Sequence, residues 1–181
     1  MNDLDARKLA ILADCHIHSG GGPDWSPAVF DALAAVDLIV TLGDMGEAAG
    51  LDRLAAIAPV IGVRGADDED DVRTACSLRA LRLGAVWIGC VFDAVAQGLA
   101  TSSEPFSPSD GWTQKAKGLF GEPVQVLLCA STHRPSVVEL DGILVVNPGS
   151  AVLPADGAGP SFALLTIEDE KVEVKIVPLD A

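Results

Sequence analysis

Residues 8–18 read KLAILADCHIH and residues 37–44 read DLIVTLGD, and these two stretches decide the fold. Each is a short apolar run that ends in acidic or imidazole side chains, which is typical of a buried strand. Apolar residues at helical spacing predict helices over 26–36 and 47–58, and residues 59–65 (PVIGVRG) predict a third strand. This β-α-β-α-β order implies parallel strands joined by right-handed crossovers.

The rest of the chain is richer in strands. Its patterns predict, in chain order, two strands over 76–92 joined near Gly84, a Ser- and Pro-rich loop over 101–111, a short helix over 113–121, a strand over 124–131, and two hairpins over 136–146 and 161–179. The Asp141-Gly142 pair is a strong hairpin signal. No repeat or change of composition divides the chain, so we predict a single α/β domain over residues 1–181.

Composition indicates a globular protein that does not bind polyanions. The chain has 181 residues, enough to bury a core without a disulfide or a metal. Its 12 basic and 26 acidic residues give a net charge of −14, which argues against binding nucleic acid backbones or anionic membranes. The hydrophobic content of 49% excludes disorder along the whole length, and no apolar run approaches a membrane span.

Cysteine usage and the first residues both favour a cytoplasmic protein. Cys15, Cys76, Cys90 and Cys129 form no C-x-x-C pair, and at least three of them lie in apolar runs. That pattern is typical of reduced thiols packed as small hydrophobes. The N-terminal residues lack the basic start and cleavage site of a signal peptide, and we predict a chain that begins directly with a strand. Homo-oligomerisation stays open.

Polar side chains collect where the predicted strands end. They are Asp14, His16 and His18 after the first strand, Asp44 after the second, Arg64 and Asp67 after the third, and Ser131 and His133 after the strand over 124–131. Ligands of open α/β sheets bind at the carboxyl ends of the strands. Two carboxylates and two imidazoles that converge there suit one divalent cation.

Five short motifs occur in one order along nearly the whole chain. They are D-C-H at 14–16, G-D at 43–44, V-R-G-A-D-D at 63–68, S-T-H-R-P at 131–135 and N-P-G-S at 147–150. In this order they resemble the calcineurin-like metallophosphoesterase superfamily, in particular its small bacterial and archaeal phosphodiesterase branch. The resemblance implies a four-layer α-β-β-α sandwich, in which two mixed β-sheets lie face to face and are flanked by helices.

The resemblance also implies which metal ligands are kept and which are lost. The ligands of one metal are all present: Asp14, His16, Asp44 and His133. Ligands that would serve only a second metal are missing, because Ala66 stands at the family's asparagine, Ser131 at the first histidine of its G-H-x-H block, and Phe92 near its middle-strand histidine. We therefore expect one ion rather than two, with Asp44 as the remnant of a bridge.

The donor set predicts manganese first, with iron, zinc or nickel as alternatives. Asp67 or Asp68 remains an alternative replacement ligand for the lost second ion. We predict that Asp67 takes part in catalysis and that Arg64 and Ser131 contact the substrate.

His18 has two interpretations of about equal weight. Two residues beyond His16 on an extended segment, it can face the same side. It is then a general acid or an additional ligand; otherwise it is a partly exposed loop histidine. Barrel hydrolases that begin with a similar D-x-H-x-H need several more histidines downstream, and this chain has only His133 left.

Two function classes follow. The leading prediction is a divalent-metal-dependent phosphoesterase with attenuated activity that hydrolyses a small phosphate mono- or diester. The alternative is a non-catalytic metal-binding or protein-binding scaffold that retains the fold, as one member of this superfamily does in the retromer complex. Missing second-metal ligands favour the scaffold, whereas the intact first set favours the hydrolase.

Overall fold

In the described residues, the fold consists of two large mixed β-sheets, a separate two-stranded hairpin and three helices. The computed structural model describes residues 2–3, 6–22 and 24–179. The elements are β1 Asn2–Asp3, β2 Lys8–Leu12, α1 Pro27–Leu33, β3 Leu38–Thr41, α2 Ala48–Ala55, β4 Val60–Gly62, β5 Leu78–Leu83, β6 Val86–Val91, β7 Ala100–Ser103, β8 Phe106–Pro108, α3 Trp112–Phe120, β9 Val126–Leu128, β10 Pro135–Leu140, β11 Ile143–Pro148, β12 Ser161–Glu168 and β13 Lys171–Pro178.

The sheet that begins with the predicted β-α-β-α-β unit has five strands in the order β13-β12-β2-β3-β4. Its β2, β3 and β4 are parallel, with Ile11 beside Val40 and Val40 beside Ile61. The other large sheet has six strands in the order β1-β5-β6-β9-β11-β10. Since β2, β3 and β4 run the same way, the loops that follow them meet at one edge.

Alternation along the strands builds the layers. On β2, Leu9 and Ile11 pack in the core between the two sheets, while Ala10 and Leu12 face the other way. That outer face is covered by α1 and α2, and the outer face of the six-stranded sheet is covered by α3. The result is the predicted four-layer α-β-β-α sandwich, and the fold class is confirmed.

Both predicted hairpins are present, with turns at the expected places. Asp141 and Gly142 have φ of 50° and 77°, and Asp169 and Glu170 have φ of 47° and 69°. Two consecutive residues with positive φ characterise the type I′ turn, whose twist matches that of paired strands. Sequence pattern and backbone geometry therefore agree in the second half of the chain.

Two local predictions are wrong. Residues 101–111, predicted as a loop, contain the short hairpin of β7 and β8. Its Ser and Pro content is typical of a loop, but Phe106 packs edge-on against Trp112 at a centroid distance of 5.9 Å, so a tertiary contact outweighs composition. The first strand is also not β2, because β1 pairs in parallel with β5; two residues are too few to carry a periodic signal.

The cysteines and tryptophans behave as packing residues. All four cysteines are free thiols, and burial raises the pKa of both Cys90 and Cys129 to about 12. Trp25 and Trp112 are buried among apolar side chains. Within the described part of the chain, no helix is long and apolar enough to cross a membrane.

Candidate metal centre

The loops after β2, β3 and β9 bring the predicted ligands to one edge of the molecule. Among the described residues, eight non-glycine residues have positive φ, and five of these lie in the loops: Asp14, His16, Asp44, Ser131 and His133. The other three are in the hairpin turns. Such dihedrals cost about 1–3 kcal/mol each unless the surroundings enforce them, and they concentrate at functional sites. Here a backbone bond of 3.0 Å from Asp14 N to Gly43 O and one of 2.9 Å from His16 N to Asp44 O tie two of the loops together.

Asp14 is fully buried, yet one of its carboxylate oxygens has no partner. Its Oδ2 accepts hydrogen bonds from the backbone N–H groups of Ser131 (3.1 Å) and His133 (3.4 Å). Its Oδ1 makes no hydrogen bond and lies 3.9 Å from His133 Nε2. Burial raises the pKa of Asp14 to about 6; His133 opposes the rise and Asp44 adds to it. A buried carboxylate with a free oxygen is costly unless something positive faces it.

The His133 ring is oriented by a backbone carbonyl. Its Nδ1 donates to the carbonyl oxygen of Leu153 at 2.6 Å. With the proton on Nδ1, the lone pair of a neutral ring lies on Nε2, the nitrogen that faces Asp14 Oδ1. Metal-ligating histidines are held by this kind of bond to the ring nitrogen that does not bind the metal.

His16 has the same arrangement with a side-chain acceptor. Its Nδ1 lies 2.6 Å from Asp67 Oδ2, and its Nε2 lies 3.9 Å from Asp44 Oδ2. The ring stacks on His133 with centroids 5.3 Å apart and planes 9° from parallel. Both imidazoles therefore present Nε2 beside a carboxylate oxygen.

Two separate pairs have a spacing that fits a cation, but among the described residues no three of Asp14, His16, Asp44 and His133 have donor atoms within 4.8 Å of one another. The two 3.9 Å separations are too long for hydrogen bonds. Two ligands that are each about 2.1 Å from one cation can be at most about 4.2 Å apart. Each 3.9 Å pair meets this limit by itself, and the donor types suit a divalent metal, but one ion held by all four residues requires their side chains to move closer together. The structure brings all four predicted ligands, Asp14, His16, Asp44 and His133, to one place; their role as ligands stays a prediction.

A tighter cluster lies immediately beside them. Within the described ranges, one group of three potential ligands has its donor atoms within 4.8 Å of one another: His16, His18 and Asp67. Asp67 Oδ2 lies 2.6 Å from His16 Nδ1 and 2.8 Å from His18 Nε2, which are hydrogen-bond distances. The bond from His16 lowers the pKa of Asp67, and the bond with Asp67 raises the pKa of His18.

The two predicted substrate-binding residues are placed differently. The Arg64 guanidinium pairs with Asp70 and donates to the carbonyl oxygen of Asp68 at 3.1 Å, so it is engaged within its own loop. Ser131 lies in the site, where its backbone N–H binds Asp14. The substrate contacts of both remain predictions.

The side expected to have lost its metal contains backbone and apolar groups. Asp44 Oδ1 accepts the backbone N–H of Asp67 at 2.9 Å. Phe92 packs against the inter-sheet core, and its ring lies next to Gly43, where a Cβ would be only 2.8 Å from Cδ2. Both oxygens of Asp68 accept backbone N–H groups, those of Met45, Gly46 and Gly65. Of the two acids considered as replacement ligands, Asp67 alone faces the imidazoles.

Two residues that support the site belong to the N-P-G-S motif and were not predicted as site residues. Ser150 Oγ donates to the carbonyl oxygen of Asp14 at 2.7 Å and accepts the N–H of Leu153, whose carbonyl holds His133. Asn147 Nδ2 donates to Thr132 Oγ1 at 3.1 Å. The signal in the sequence was the polar pair within an otherwise apolar strand end, N-P-G-S at 147–150.

Comparison with known proteins identifies the family of the chain. A model of the calcineurin-like phosphoesterase superfamily domain matches residues 8–170, which is most of the chain. The protein therefore belongs to the calcineurin-like phosphoesterase superfamily, a family of metal-dependent phosphoesterases. The resemblance seen in the motifs is confirmed.

The individual relatives share 20–28% sequence identity with this chain. A probable metallophosphoesterase of Methanothermobacter thermautotrophicus is 28% identical over 170 residues, covering 93% of this chain and 91% of that protein. Vps29 of Chaetomium thermophilum superposes with a TM-score of 0.72 at 23% identity, covering 95% and 97% of the two chains. Vps29 of Entamoeba histolytica in complex with Zn²⁺ superposes with a TM-score of 0.71 at 20% identity, covering 96% and 99%. At these identities the two solved structures establish the fold.

Proposed function

We propose that the protein hydrolyses a small phosphate ester at a centre that holds one divalent cation. Asp14, His16, Asp44 and His133 would be its ligands. The observation that carries the proposal is the fully buried Oδ1 of Asp14, which lacks a hydrogen-bond partner and lies 3.9 Å from the lone-pair nitrogen of His133.

The residues of the chain prepare the site before substrate arrives. When bound, a divalent cation polarises a phosphoryl oxygen and lowers the pKa of water. The Ser131 and His133 N–H groups stabilise the Asp14 carboxylate in its ionised form, which the buried position alone disfavours. Leu153 and Asp67 hold the two imidazoles in one tautomer and one orientation.

A single ion is favoured over two. Ala66 and Phe92 offer no donor atom, and Asp44 Oδ1 already accepts the N–H of Asp67. One cation neutralises less of the charge that develops during phosphoryl transfer than a pair does, so we expect attenuated turnover. Manganese is the first candidate for an oxygen- and nitrogen-rich site, with iron, zinc or nickel as alternatives.

A cleft of about 350 Å³ beside His18 has a suitable size for the organic part of a small ester. Its lining includes His18, Ser19, Gly22, Glu47 and Arg53. The net charge of −14 disfavours large polyanionic substrates, which supports a small ester and no binding of nucleic acid or membrane surfaces. A cytoplasmic location and a possible homo-oligomer complete the proposal.

The test combines metal counting with an ester panel. Metal-free protein is loaded with Mn²⁺, the bound ion is counted, and hydrolysis of aryl phosphodiesters and monoesters is followed. We expect one ion per chain and slow turnover that stops with a chelator and with His133→Ala. The matched control is Asp31→Asn, a change on α1 away from the site. A chain that binds no ion, or whose turnover survives His133→Ala, contradicts the proposal.

One observation favours a second candidate, a metal-binding scaffold without turnover. Phe92 and backbone groups occupy the side where a second ion's ligands are expected. This candidate predicts one bound ion and no hydrolysis of any ester in the panel. The same measurements therefore separate the two functions.

A further inference from the structure

Asp67 makes contacts with two of the proposed ligands at once. Its carboxylate Oδ2 accepts from His16 Nδ1 at 2.6 Å, and its backbone N–H donates to Asp44 Oδ1 at 2.9 Å. The other donor atoms of these ligands, His16 Nε2 and Asp44 Oδ2, are the pair that lies 3.9 Å apart. A single residue outside the ligand set thus positions both members of that pair.

His18 is the second contact of the same carboxylate oxygen. Its Nε2 lies 2.8 Å from Asp67 Oδ2, and its other nitrogen lies 3.9 Å from Glu47 Oε1. Glu47 is itself fixed by the N–H and hydroxyl of Ser19, both at 3.0 Å. His18 therefore limits the positions that the Asp67 carboxylate can take.

The loop that carries Asp67 is anchored on its other side by Asp68. The Asp68 carboxylate accepts N–H groups from Met45 and Gly65, at 2.6 and 2.7 Å. This bond to Met45 joins the loop after β4 to the loop that bears Asp44. The Asp67 side chain, which is 39% exposed, is consequently held on a fixed backbone.

We propose that Asp67 and His18 form a positioning pair that sets the metal affinity of the centre without either residue touching the cation. The inference rests on the proposed metal centre. His16 can offer Nε2 to a cation only if Nδ1 carries its proton, and Asp67 supplies the acceptor for that proton. Loss of such an acceptor typically costs roughly 10- to 100-fold in metal affinity. His18 acts indirectly, because it holds the Asp67 carboxylate in place.

The competing assignment makes His16, His18 and Asp67 the ligands themselves, as in sites with two histidines and one carboxylate. The 2.6 and 2.8 Å separations are shorter than the roughly 3.0–3.4 Å between ligands that share one cation at about 2.1 Å, so these atoms would have to move apart to admit the ion. In that assignment the cation would leave the partnerless Oδ1 of Asp14 unused.

The experiment measures Co²⁺ binding to the full chain, using the visible absorption spectrum for both affinity and coordination. Asp67→Asn keeps the shape but removes a charged acceptor, and we expect roughly 10- to 100-fold weaker binding with unchanged band positions. His18→Ala should weaken binding by a smaller factor, and His18→Gln, which retains an N–H donor, should restore most of the loss. The control is Asp70→Asn, which makes the same change in the same loop on a side chain that is 91% exposed. The Co²⁺ affinity of this variant should stay within about twofold of the wild-type value.

Two results would overturn the positioning role. One is a Co²⁺ affinity that is unchanged in both Asp67→Asn and His18→Ala. The other is evidence that His18 itself binds the metal: in His18→Ala, the Co²⁺ absorption bands shift, or pulsed electron paramagnetic resonance of the Mn²⁺ form shows the loss of a coordinating imidazole. Failure of wild-type protein to bind Co²⁺ contradicts the centre and the pair together. Binding that depends on Asp67 in a chain that hydrolyses no ester supports the pair and rejects the hydrolase alone.

Discussion

The two oxygens of the Asp44 carboxylate face very different surroundings. Oδ2 lies 3.9 Å from Nε2 of His16, whose ring is oriented by Asp67. Oδ1 accepts a backbone N–H, in a region bordered by Ala66 and Phe92. The Oδ2 side therefore offers donor atoms to a cation, whereas Oδ1 already has a hydrogen-bond partner. The comparison supports the proposed centre, in which a single cation binds on the Oδ2 side of Asp44.

The largest expected effect is on the retained side. Asp14→Asn replaces the buried carboxylate by a neutral amide, so the cation loses both a ligand and a compensating charge. We expect Mn²⁺ affinity to fall by more than about 100-fold, beyond the loss for a group that only orients a ligand. Isothermal titration calorimetry measures it, with Asp31→Asn as the control. Retained binding in Asp14→Asn would place the cation elsewhere.

The same residue predicts a pH dependence of the metal-free protein. The pKa of Asp14 is raised to about 6 in the fold, so the folded chain holds this proton more tightly than the unfolded chain. Its contribution to stability is present below about pH 4 and is lost as pH rises through 6, a cost of about 2–3 kcal/mol by pH 7.

The Asp14→Asn variant has no carboxyl group to ionise at this position, so it does not lose this contribution to stability as the pH rises. The difference in free energy of unfolding between the variant and wild type should therefore shift in favour of the variant between pH 4 and pH 7. Urea denaturation in the presence of a chelator measures it at each pH. A difference that stays constant with pH would contradict the effect of burial on the carboxyl group.

The one-sided arrangement can be challenged by adding donors to the other side. Ala66→Asn, Ser131→His and Phe92→His together supply the residue types that the family resemblance implies for a second ion. Histidine is among the residue types enriched at positive φ, which position 131 requires. We expect a second bound ion and turnover raised by roughly tenfold or more.

Metal analysis and the ester panel measure that gain. The triple variant carrying Ala66→Leu instead of Ala66→Asn serves as a control of similar side-chain size that lacks a donor atom. If the full triple variant still binds one ion, the backbone N–H on Asp44 Oδ1, rather than the missing side chains, keeps the second ion out.

The smallest effect is expected at Ser150. Ser150→Ala removes the donor to the Asp14 carbonyl and the acceptor for the Leu153 N–H, both in buried surroundings. We expect a loss of about 1–3 kcal/mol in unfolding free energy and only a few-fold weaker metal binding. The exposed Ser136→Ala on β10 is the control. A stability equal to that of wild type would remove Ser150 from the support of the site.

Much of the centre could be predicted from the sequence, because its side chains follow strands whose patterns are clear. Asp14 and Asp44 end apolar runs that pair as neighbouring parallel strands, so their proximity follows from topology. His133 also follows a predicted strand, but β9 belongs to the other sheet, so its approach to Asp14 does not follow from the parallel pairing of β2 and β3. The contact between Asp67 and His16 joins residues 51 positions apart, and the residue type alone does not indicate it.

The contacts that support the site could not be predicted from the sequence for a related reason. Ser150 and Asp14 are 136 residues apart, and a serine in a turn is most often a local hydrogen-bonding residue. The hairpin of β7 and β8 was missed because its serines and prolines are typical of loops. In each case a partner from a distant segment decided the outcome.

By itself the sequence determined most of the order of strands and helices and the set of donor atoms, because hydrophobic periodicity and residue chemistry are local properties. The sandwich class was implied by the resemblance to a known family. The tertiary structure alone decided which oxygen of Asp44 faces the imidazoles, that Asp67 binds two histidines, and that Asp14 keeps an oxygen free. These features depend on how loops with positive φ approach one another across the sheet edge. Such an approach is enforced by packing of the whole domain, so no short stretch of sequence contains it.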